Sequence, residues 1–581
     1  MSFLMSINPG FILIVAGVIA AILPVKRARQ AIAIAAPIIG MALLLEAKWN
    51  VVHASASFLD LNLILYQVDN FNYIFGIAFL IAALLNAIYA LHQDSVIEDS
   101  SALIYGGAAI AAVFAGDLIT LFVFWELTAV SSVFLILKTG TRAAYGAAMR
   151  YLAVQVLSGV LLLYGAVLLL NATGDISVRN LALGTSPGAW FIFIAFGIKA
   201  AFPLLHNWLQ DSYPQATIVG AVVLSAFTTK LAVYALIRVF PGEDSLIWIG
   251  AIMTLFPVFF AVIENDLRRV LSYSINNQIG FMVVGVGIGG SLGINGAAAH
   301  AFADVIFKGL LFMSMGAVLY RTGTTKATEL GGLWKSMPWT TVFCLIGAMS
   351  ISALPFFSAF VTKSMIISAV AEQHMIWIWL ALLFASAGVL EHAGIKIPYF
   401  AFFGHDSGKR VKEAPFNMLL AMGLAAFLCI AIGMPAIAPG LGYEWLYDKL
   451  PYPDVARSYH PYDIGHILTQ MQLVMLAVFA FVFLQRIGVY PAEKRGVILD
   501  TDWTYRKAGF GFAGWLSNIW GKVGPAMTVV WRGISSQAYR RIEAAFSPQG
   551  VLARGPLTGG MAIWTAVLLG IVLLLSFVAA R

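Results

Sequence analysis

The chain has 581 residues, of which 60% are hydrophobic and 11% are charged, and its formal net charge is +7. This composition excludes a soluble globular protein. Most of the lysine and arginine side chains lie in short loops between long apolar segments. The positive charge therefore indicates membrane topology rather than nucleic-acid binding.

Apolar segments follow one another along almost the whole chain. A segment of roughly 20 apolar residues crosses a hydrocarbon core of about 30 Å, and it must be helical so that its backbone groups are paired. We therefore predict an all-α polytopic membrane protein with about sixteen transmembrane helices. The predicted spans cover residues 10–25, 31–46, 71–92, 101–116, 118–137, 147–171, 188–210, 216–239, 245–263, 270–290, 294–320, 338–372, 375–402, 416–438, 465–485 and 558–579.

The basic loops predict how the chain is oriented. The first apolar run has no basic residue before it and a basic cluster, Lys26 to Arg29, directly after it, which is the reverse of a cleaved signal peptide. An outside N-terminus places the basic loops in the cytoplasm, as the positive-inside rule favours. These loops are KTGTRAAYGAAMR, ENDLRR, RTGTTKATELGGLWK, GHDSGKRVKEAP and PAEKR. We predict a multi-pass protein of the bacterial inner (plasma) membrane.

The predicted topology divides the chain into units. An N-terminal three-helix segment, residues 1–100, precedes two five-helix units, residues 101–240 and 241–402, which begin on opposite sides of the membrane. An inverted repeat of this kind places a transport site near the bilayer midplane. Each unit has a proline within a predicted span, Pro203 or Pro355, where we expect the helix to break.

Ionisable side chains lie deep within several predicted spans. Four of them are each the only charged group deep in their helix: Glu126, Lys199, Lys230 and Lys363. Three others are spaced i, i+4, i+8 and share one helix face: His300, Asp304 and Lys308. A charge at the bilayer centre costs at least about 2.5 to 3.5 kcal/mol, so such residues usually serve an interior path. The alternative is a set of buried ion pairs that only fixes helix packing.

These residue types permit proton transfer rather than covalent catalysis, because burial brings lysine and glutamate pKa values toward neutrality. Two charges about 7 Å apart interact by roughly 2.4 kcal/mol at an effective dielectric near 20, or about 1.7 pKa units. Glu126 would therefore bias the protonation of Lys199, and the disturbance would pass to the other lysines. His206 is less specific, because a histidine near a helix end often caps the helix or binds water.

The sequence has no motif that predicts redox chemistry or metal binding. Cys344 and Cys429 lie alone within apolar runs, so neither a CxxC metal site nor an iron–sulfur cluster is available. We expect no cofactor, no metal and no intrinsic covalent or redox chemistry.

Six segments together resemble the antiporter-like subunits of respiratory complex I, membrane-bound hydrogenases and Mrp-type cation/proton antiporters, most closely the D-type Mrp subunit. They are FVFWELTAVSSVFLI, IKAAFPLLHNWLQDSYPQA, TTKLAVYALIR, ENDLRRVLSYSINNQIGFM, HAFADVIFKGLLFMSMGA and ALPFFSAFVTKSMI. The resemblance covers roughly residues 60 to 405.

The resemblance implies a role for each residue of the series. It implies that Glu126 and Lys199 form a coupling pair and that Lys230 is a connecting lysine. His300 and Lys308 would belong to a polar axis, and Lys363 would be the terminal lysine near the exit. Lysine at 363 differs from the family branch that has glutamate there, and Asp304 departs from the motif.

The C-terminal part differs in character from the rest. Additional transmembrane helices are predicted at residues 403–486 and an anchoring helix at 558–581. Between them, residues 487–557 contain a stretch, 505–546, with apolar residues at near-helical spacing and interspersed basic residues. It predicts an amphipathic helix on the cytoplasmic membrane surface, interrupted near Gly524 and Pro525. Either a plain interfacial helix or a strut that holds a partner subunit fits this pattern.

Three functions fit these observations. The first is a proton-translocating subunit of a multisubunit monovalent cation/proton antiporter, with other membrane subunits as partners. The second is the same module in a redox-driven complex of the NADH/quinone or hydrogenase type. The third is a membrane partner that energises inorganic-carbon uptake. The proton path would look alike in all three, so the sequence leaves them open.

Overall fold

The computed structural model describes residues 6–58, 61–436, 442–488, 498–547 and 567–571. The chain divides into two compact units, Met1–Ile498 and Leu499–Arg581. All candidate site residues lie in the first unit.

Four helices and a β-hairpin begin the first unit. The helices are α1 (Pro9–Ile22), α2 (Lys26–Glu46), α3 (Tyr73–Ala90) and α4 (Val96–Val113). Antiparallel strands β1 (Val51–Phe58) and β2 (Leu61–Val68) lie between α2 and α3. The expectation of an all-α fold missed this hairpin, because eight-residue strands rich in β-branched and aromatic residues are too short to be detected as spans.

The next helices carry the first candidate residues. They are α5 (Leu118–Leu137), α6 (Arg142–Thr173), α7 (Pro187–Ala200), α8 (Asn207–Ser212), α9 (Ile218–Ala226) and α10 (Thr228–Val239). The predicted span 216–239 is divided at Phe227, which separates α9 from α10. No proline marks this interruption, so the sequence pattern did not indicate it.

The remaining helices of the first unit include the other candidate residues. They are α11 (Asp244–Ile263), α12 (Leu267–Ile288), α13 (Gly290–Thr322), α14 (Pro338–Ile351), α15 (Ser358–Glu372), α16 (Ile376–Phe403), α17 (Phe416–Ala431), α18 (Tyr443–Tyr447), α19 (Pro453–Ser458) and α20 (Ile464–Arg486). The second half of α16 contains two π-helical segments, Leu390–Ile395 and Tyr399–Phe403.

The helices have the length and composition of membrane spans. Among the described residues, ten helices are long and apolar enough to cross a membrane, and four apolar helices are shorter. The last predicted span, 558–579, lies outside the described residues except for 567–571. The count of sixteen therefore stays a prediction.

Both predicted helix breaks are confirmed, and they share one backbone geometry. After α7 the chain reads Ala-Phe-Pro-Leu, and Ala201 and Leu204 have φ values of 61° and 72°. After α14 it reads Ala-Leu-Pro-Phe, and Ala353 and Phe356 have φ values of 55° and 72°. Left-handed conformation is costly for residues with a Cβ. Two breaks with the same costly pattern indicate that each is held by its surroundings.

Three further local structures occur once within residues 101–240 and once within residues 241–402. Asp117 caps α5, and Asp266 caps α12, each by accepting hydrogen bonds from two backbone amides of its helix. Each of these aspartates also forms an isolated antiparallel bridge, Asp117 to Ser177 and Asp266 to Lys326. The long helices α6 and α13 both end in Thr-Gly with a left-handed glycine.

The second unit contains one long helix among its described residues, α21 (Phe510–Phe546), preceded by a π-helical turn, Thr504–Gly509. Its 37 residues extend about 55 Å at 1.5 Å per residue. The predicted interruption near Gly524 and Pro525 was wrong, because the helix continues through these positions. Proline removes one backbone donor, and a long helix keeps its hydrogen bonds on both sides of that point.

Candidate functional site

Lys199 lies in the last turn of α7 and is fully buried. Its Nζ donates hydrogen bonds of 2.6 Å to the Trp125 carbonyl and of 2.6 Å to Thr128 Oγ1, both on α5. The ammonium also lies 4.2 Å from the centre of the Trp125 ring. The Trp125 indole in turn donates to Ser158 Oγ at 3.0 Å, which ties α5 to α6. Packing between three helices therefore positions this lysine.

Glu126 lies beside these contacts and is half-buried. Its Oε1 is buried and has no hydrogen-bond partner in the structure. The carboxylate lies against Gly159 of α6, where a Cβ atom would overlap it. Lys199 interacts electrostatically with Glu126, although its hydrogen bonds go to Trp125 and Thr128. Glu126 and Lys199, the predicted pair, are thus neighbours, but no hydrogen bond joins their side chains.

Lys230 pairs with Asp304 in the interior. Lys230 Nζ on α10 lies 2.6 Å from Asp304 Oδ2 on α13, and both side chains are fully buried. Lys230 Nζ also donates to the Ser225 carbonyl at 2.9 Å, at the end of α9. The interruption at Phe227 leaves this carbonyl accessible to the lysine. Asp304, which departs from the resembled motif, is therefore the anionic partner of Lys230.

α13 presents its other polar residues to α12 and α15. Lys308 Nζ donates to Ser274 Oγ at 2.7 Å. His300 Nε2 lies 2.9 Å from Gln278 Oε1, and its Nδ1 lies 2.9 Å from Thr362 Oγ1. His300 and Lys308 are fully buried. The predicted shared face of α13 is thus lined by hydroxyl and amide groups of its neighbours.

Lys363 lies on α15, one turn after the second break. Its Nζ donates to the Ile351 carbonyl at 3.3 Å and lies 4.7 Å from the centre of the Phe281 ring. Lys363 also lines a cavity of about 280 Å³ together with Ser368, His466 and Gln470. Lys363 therefore borders an open space.

The structure brings most of the candidate residues into one interior series. Lys230, Lys308 and Lys363 all interact electrostatically with His300, and Asp304 interacts with Lys308 and Lys363. His206 occupies the position before α8, within the first break, and its ring lies 4.6 Å from the Phe256 ring. The structure therefore places His206 at the break that follows the Lys199 helix.

Several polar residues of this site were missed in the sequence. They include Ser274, Asn276, Asn277 and Gln278 of α12, Thr362 of α15, and the fully buried His392 of α16. The run SYSINNQ within an otherwise apolar helix was a usable signal, because buried amides and hydroxyls require partners. Within the described ranges, no group of three or more His, Cys, Asp or Glu residues could hold a metal ion.

Comparisons with known proteins give one family. Residues 115–388 match the family described as NADH:quinone oxidoreductase/Mrp antiporter, transmembrane. The D-type subunit of the Na(+)/H(+) antiporter of Alkalihalophilus pseudofirmus is 32% identical over 346 residues, 55% of this chain and 69% of that protein. Hydrogenase-4 component B of Escherichia coli is 30% identical over 372 residues, and the match spans 56% of this chain and 54% of that protein.

Solved structures show the same fold. The Mrp complex of Dietzia sp. aligns with a TM-score of 0.73 at 21% identity, over 91% of this chain and 63% of that chain. A membrane-bound sulfane sulfur reductase, an archaeal respiratory membrane complex, aligns with a TM-score of 0.68 at 20% identity, over 97% and 99% of the two chains. At these identities, the structural likeness concerns the fold alone.

Proposed function

Since the chain belongs to the NADH:quinone oxidoreductase/Mrp antiporter family of membrane proteins, we propose that it is a proton-translocating subunit of a multisubunit monovalent cation/proton antiporter. The observation that carries this proposal is the interior series of ionisable and hydrogen-bonding groups from α5 to α15. Isolated charges are too costly in a bilayer to persist without function or pairing. The other membrane subunits of the complex would be its partners.

The first step of the proposed mechanism is a choice of partner by Lys199. Its ammonium is held by the Trp125 carbonyl and the Thr128 hydroxyl, while Glu126 Oε1 lies nearby with no hydrogen-bond partner. Movement of Glu126 toward the lysine would stabilise the ammonium, and movement away would favour release of its proton. The small Gly159 surface gives the carboxylate room to move. Glu126 thereby controls when Lys199 is charged.

The next step concerns the Lys230–Asp304 ion pair. α10, which carries Lys230, packs against α7, which carries Lys199. Loss of the Lys199 proton would therefore lower the positive charge on this side of the pair and favour movement of a proton toward Lys230. Transfer between the two groups of the pair requires little movement, because their atoms lie 2.6 Å apart. Lys308 and His300, on the same face of α13, are the following groups in the series.

The hydrogen bonds of His300 suit a residue that passes protons on, because they can form in two arrangements. The Gln278 amide donates to Asn277 Oδ1 at 2.8 Å, so its oxygen is the atom that faces His300 and accepts from Nε2–H. Thr362 Oγ1 lies 2.9 Å from Nδ1 and 3.3 Å from the Ser358 carbonyl. The hydroxyl donates to a neutral Nδ1, or accepts from a protonated Nδ1 while it donates to Ser358. The proton state of His300 therefore changes without displacement of heavy atoms.

We further propose that residues 101–240 and 241–402 form two inverted five-helix repeats. The paired breaks, the paired aspartate caps and the two Thr-Gly helix ends support this proposal. The proposed order of segments is 1–100, the two repeats, the additional helices of 403–486, the lateral segment 487–557 and the anchor 558–581. An outside N-terminus follows from the basic loops.

The experiment removes one charge at a time, and Glu126→Gln also keeps the shape of the side chain. Glu126→Gln and Lys199→Ala, produced in the full complex in membrane vesicles, should each abolish the pH-gradient response to added cation while the protein remains in the membrane. Glu46→Gln is the matched control, because Glu46 is an exposed glutamate at the end of α2. A normal response from well-expressed Glu126→Gln protein would reject the proposed role.

A second candidate function is a proton-pumping membrane component of a redox-driven complex. The similarity to hydrogenase-4 component B and the fold match to the sulfane sulfur reductase over nearly the whole of both chains favour it. In this case the chain would use the same proton path, and the redox chemistry would belong to another protein of the complex. Dependence of proton movement on an electron donor distinguishes the two functions.

A further inference from the structure

A cavity of about 940 Å³ opens on the side of the molecule where α5, α9 and α13 meet their loops. It is lined by residues from three loops that the charge pattern placed together on the cytoplasmic side, including Lys138, Asp266 and Lys326. Two other lining residues, Gln93 and Glu98, lie at the start of α4. Loops far apart in the chain thus enclose one aqueous vestibule.

A second, smaller cavity shares part of its wall with this vestibule and is lined by residues of α2, α3, α4 and α9. The centre of a water molecule can occupy a volume of about 30 Å³ in this cavity, so it has room for about two waters. Gln93 and Glu98 line this inner cavity as well as the vestibule. Glu98 is 5% exposed, so its carboxylate lies at the boundary between the two spaces.

The inner cavity is equipped to hold water. Asn86 Nδ2 and Gln93 Nε2 are buried, both side chains line the cavity, and neither amide nitrogen has a hydrogen-bond partner in the structure. Buried amide donors are nearly always satisfied, and water oxygens are suitable acceptors. Glu98 itself accepts a hydrogen bond from Thr217 Oγ1, the residue that caps α9. The inner cavity is therefore lined by one ionisable carboxylate and two amide donors.

Phe227 lines the inner cavity. It is the residue that separates α9 from α10, three positions before Lys230. Its ring packs against Tyr105 at 5.2 Å and Phe79 at 5.3 Å between centroids. Phe227 therefore belongs both to the wall of the inner cavity and to the junction after which the Lys230 helix begins.

We propose that Glu98 is the proton-exchanging group of a cytoplasmic access path to Lys230. A proton from water in the vestibule adds to the Glu98 carboxylate. It then passes through water in the inner cavity and, when the Phe227 ring rotates aside, to the Lys230–Asp304 pair, which leaves Glu98 ionised again. The reverse order moves a proton outward. This inference rests on the proposed function and adds to it a residue outside residues 115–388, which match the family.

The charged surroundings of Glu98 are mixed. On its own side of the vestibule, Arg29 forms ion pairs with Asp94 and Asp99. The other ionisable groups that line the vestibule are His92, Lys138, Asp266, Arg268 and Lys326. Arg268 is buried and donates to the carbonyls of Tyr213, Ala216 and Thr217, so it shapes the wall beneath Glu98. Cationic groups outnumber the acidic ones among the residues that line the vestibule.

Two substitutions separate proton exchange from a structural role. Glu98→Gln keeps the length of the side chain and an oxygen that accepts from Thr217, but it cannot carry a proton. Glu98→Asp keeps the ionisable group but shortens its reach to Thr217. A structural role predicts near-normal transport for Glu98→Gln and a defect for Glu98→Asp. Proton exchange predicts a fall on the order of a hundredfold for Glu98→Gln and substantial activity for Glu98→Asp.

Chemical rescue provides the decisive readout, measured as cation-induced pH change in vesicles that contain the full complex. Formate is small enough to enter the vestibule and carries a proton as formic acid, so it should restore transport to Glu98→Gln. It should not restore Lys230→Met, which serves as the control for the path itself. Normal transport by Glu98→Gln, or a defect that formate leaves unchanged, would overturn the inference. Normal transport by both Glu98→Gln and Lys230→Met would instead reject the proposed function.

Discussion

Lys230 Nζ on α10 lies 2.6 Å from Asp304 Oδ2 on α13, and neither side chain has any exposed surface. Each buried charge loses its hydration energy, and only attraction to an oppositely charged partner offsets this loss. Removal of one partner leaves an uncompensated charge in the interior. The pair is therefore both a structural element and the centre of the proposed proton path.

Asp304→Asn should lower the stability of the purified complex by about 3 to 5 kcal/mol, because it leaves the Lys230 ammonium buried without an anion. Transport should be lost as well. The double variant Lys230→Met, Asp304→Leu removes both charges, so it should recover most of the stability but none of the transport. Thermal unfolding and vesicle transport measure the two properties separately. Recovery of transport in the double variant would show that the pair only supports the fold.

Gly159→Ala should impair transport as severely as a change of Glu126 itself. A Cβ atom at residue 159 would overlap the Glu126 carboxylate, so the carboxylate must move away from its position beside Lys199. Forced repacking of this kind costs about 1 to 3 kcal/mol. Gly146→Ala on the same helix is the control, because its new methyl group meets only the end of the flexible Arg150 side chain. Equal transport by the two variants would contradict this placement of Glu126.

Replacement of Ala201 by glycine should not destabilise the protein, because Ala201 has a φ of 61°. Replacement of an alanine within a helix should destabilise it. Ala201→Gly removes left-handed strain of about 1 kcal/mol, which offsets the entropy that glycine loses on folding. Its thermal stability should equal or exceed that of the parent, while Ala201→Val should be less stable. Ala195→Gly, within α7, should lose about 0.5 to 1 kcal/mol. If Ala201→Gly lost as much stability as Ala195→Gly, the result would contradict the left-handed conformation of Ala201 in the first break.

The sequence was most informative where local chemistry decides structure. Proline is unfavourable inside a helix, so Pro203 and Pro355 indicated both breaks, although α21 continues through Pro525. Lone charges in apolar segments likewise identified the interior residues, because the bilayer makes them costly. The contacts of these residues were not predictable, since Lys230 and Asp304 lie on different helices and no local spacing relates them. The hairpin and the division at Phe227 were missed because neither has a long apolar run or a proline.

Asp406, in the loop between α16 and α17, should contribute the same stability throughout the neutral range. Hydrogen bonds from Arg410, from the Gly408 amide and from Lys335 hold the pKa of this carboxyl well below its usual range. Because the folded pKa is depressed, the stabilisation is present above the unfolded pKa and disappears only as the pH falls through the folded value. The thermal midpoint of Asp406→Asn should therefore lie below that of the parent by a constant amount between about pH 5 and pH 8. A difference that shrinks toward pH 5 would contradict this assignment.

The most direct test of cation/proton exchange uses the purified complex in liposomes without any electron donor. A sodium or potassium gradient imposed across these liposomes should drive protons in the opposite direction, and a pH-sensitive dye inside the liposomes would report the movement. The same complex with Lys199→Ala should give no response. Proton movement in the parent complex that requires an electron donor and ignores both cation gradients would contradict the antiporter function and support a redox-driven pump.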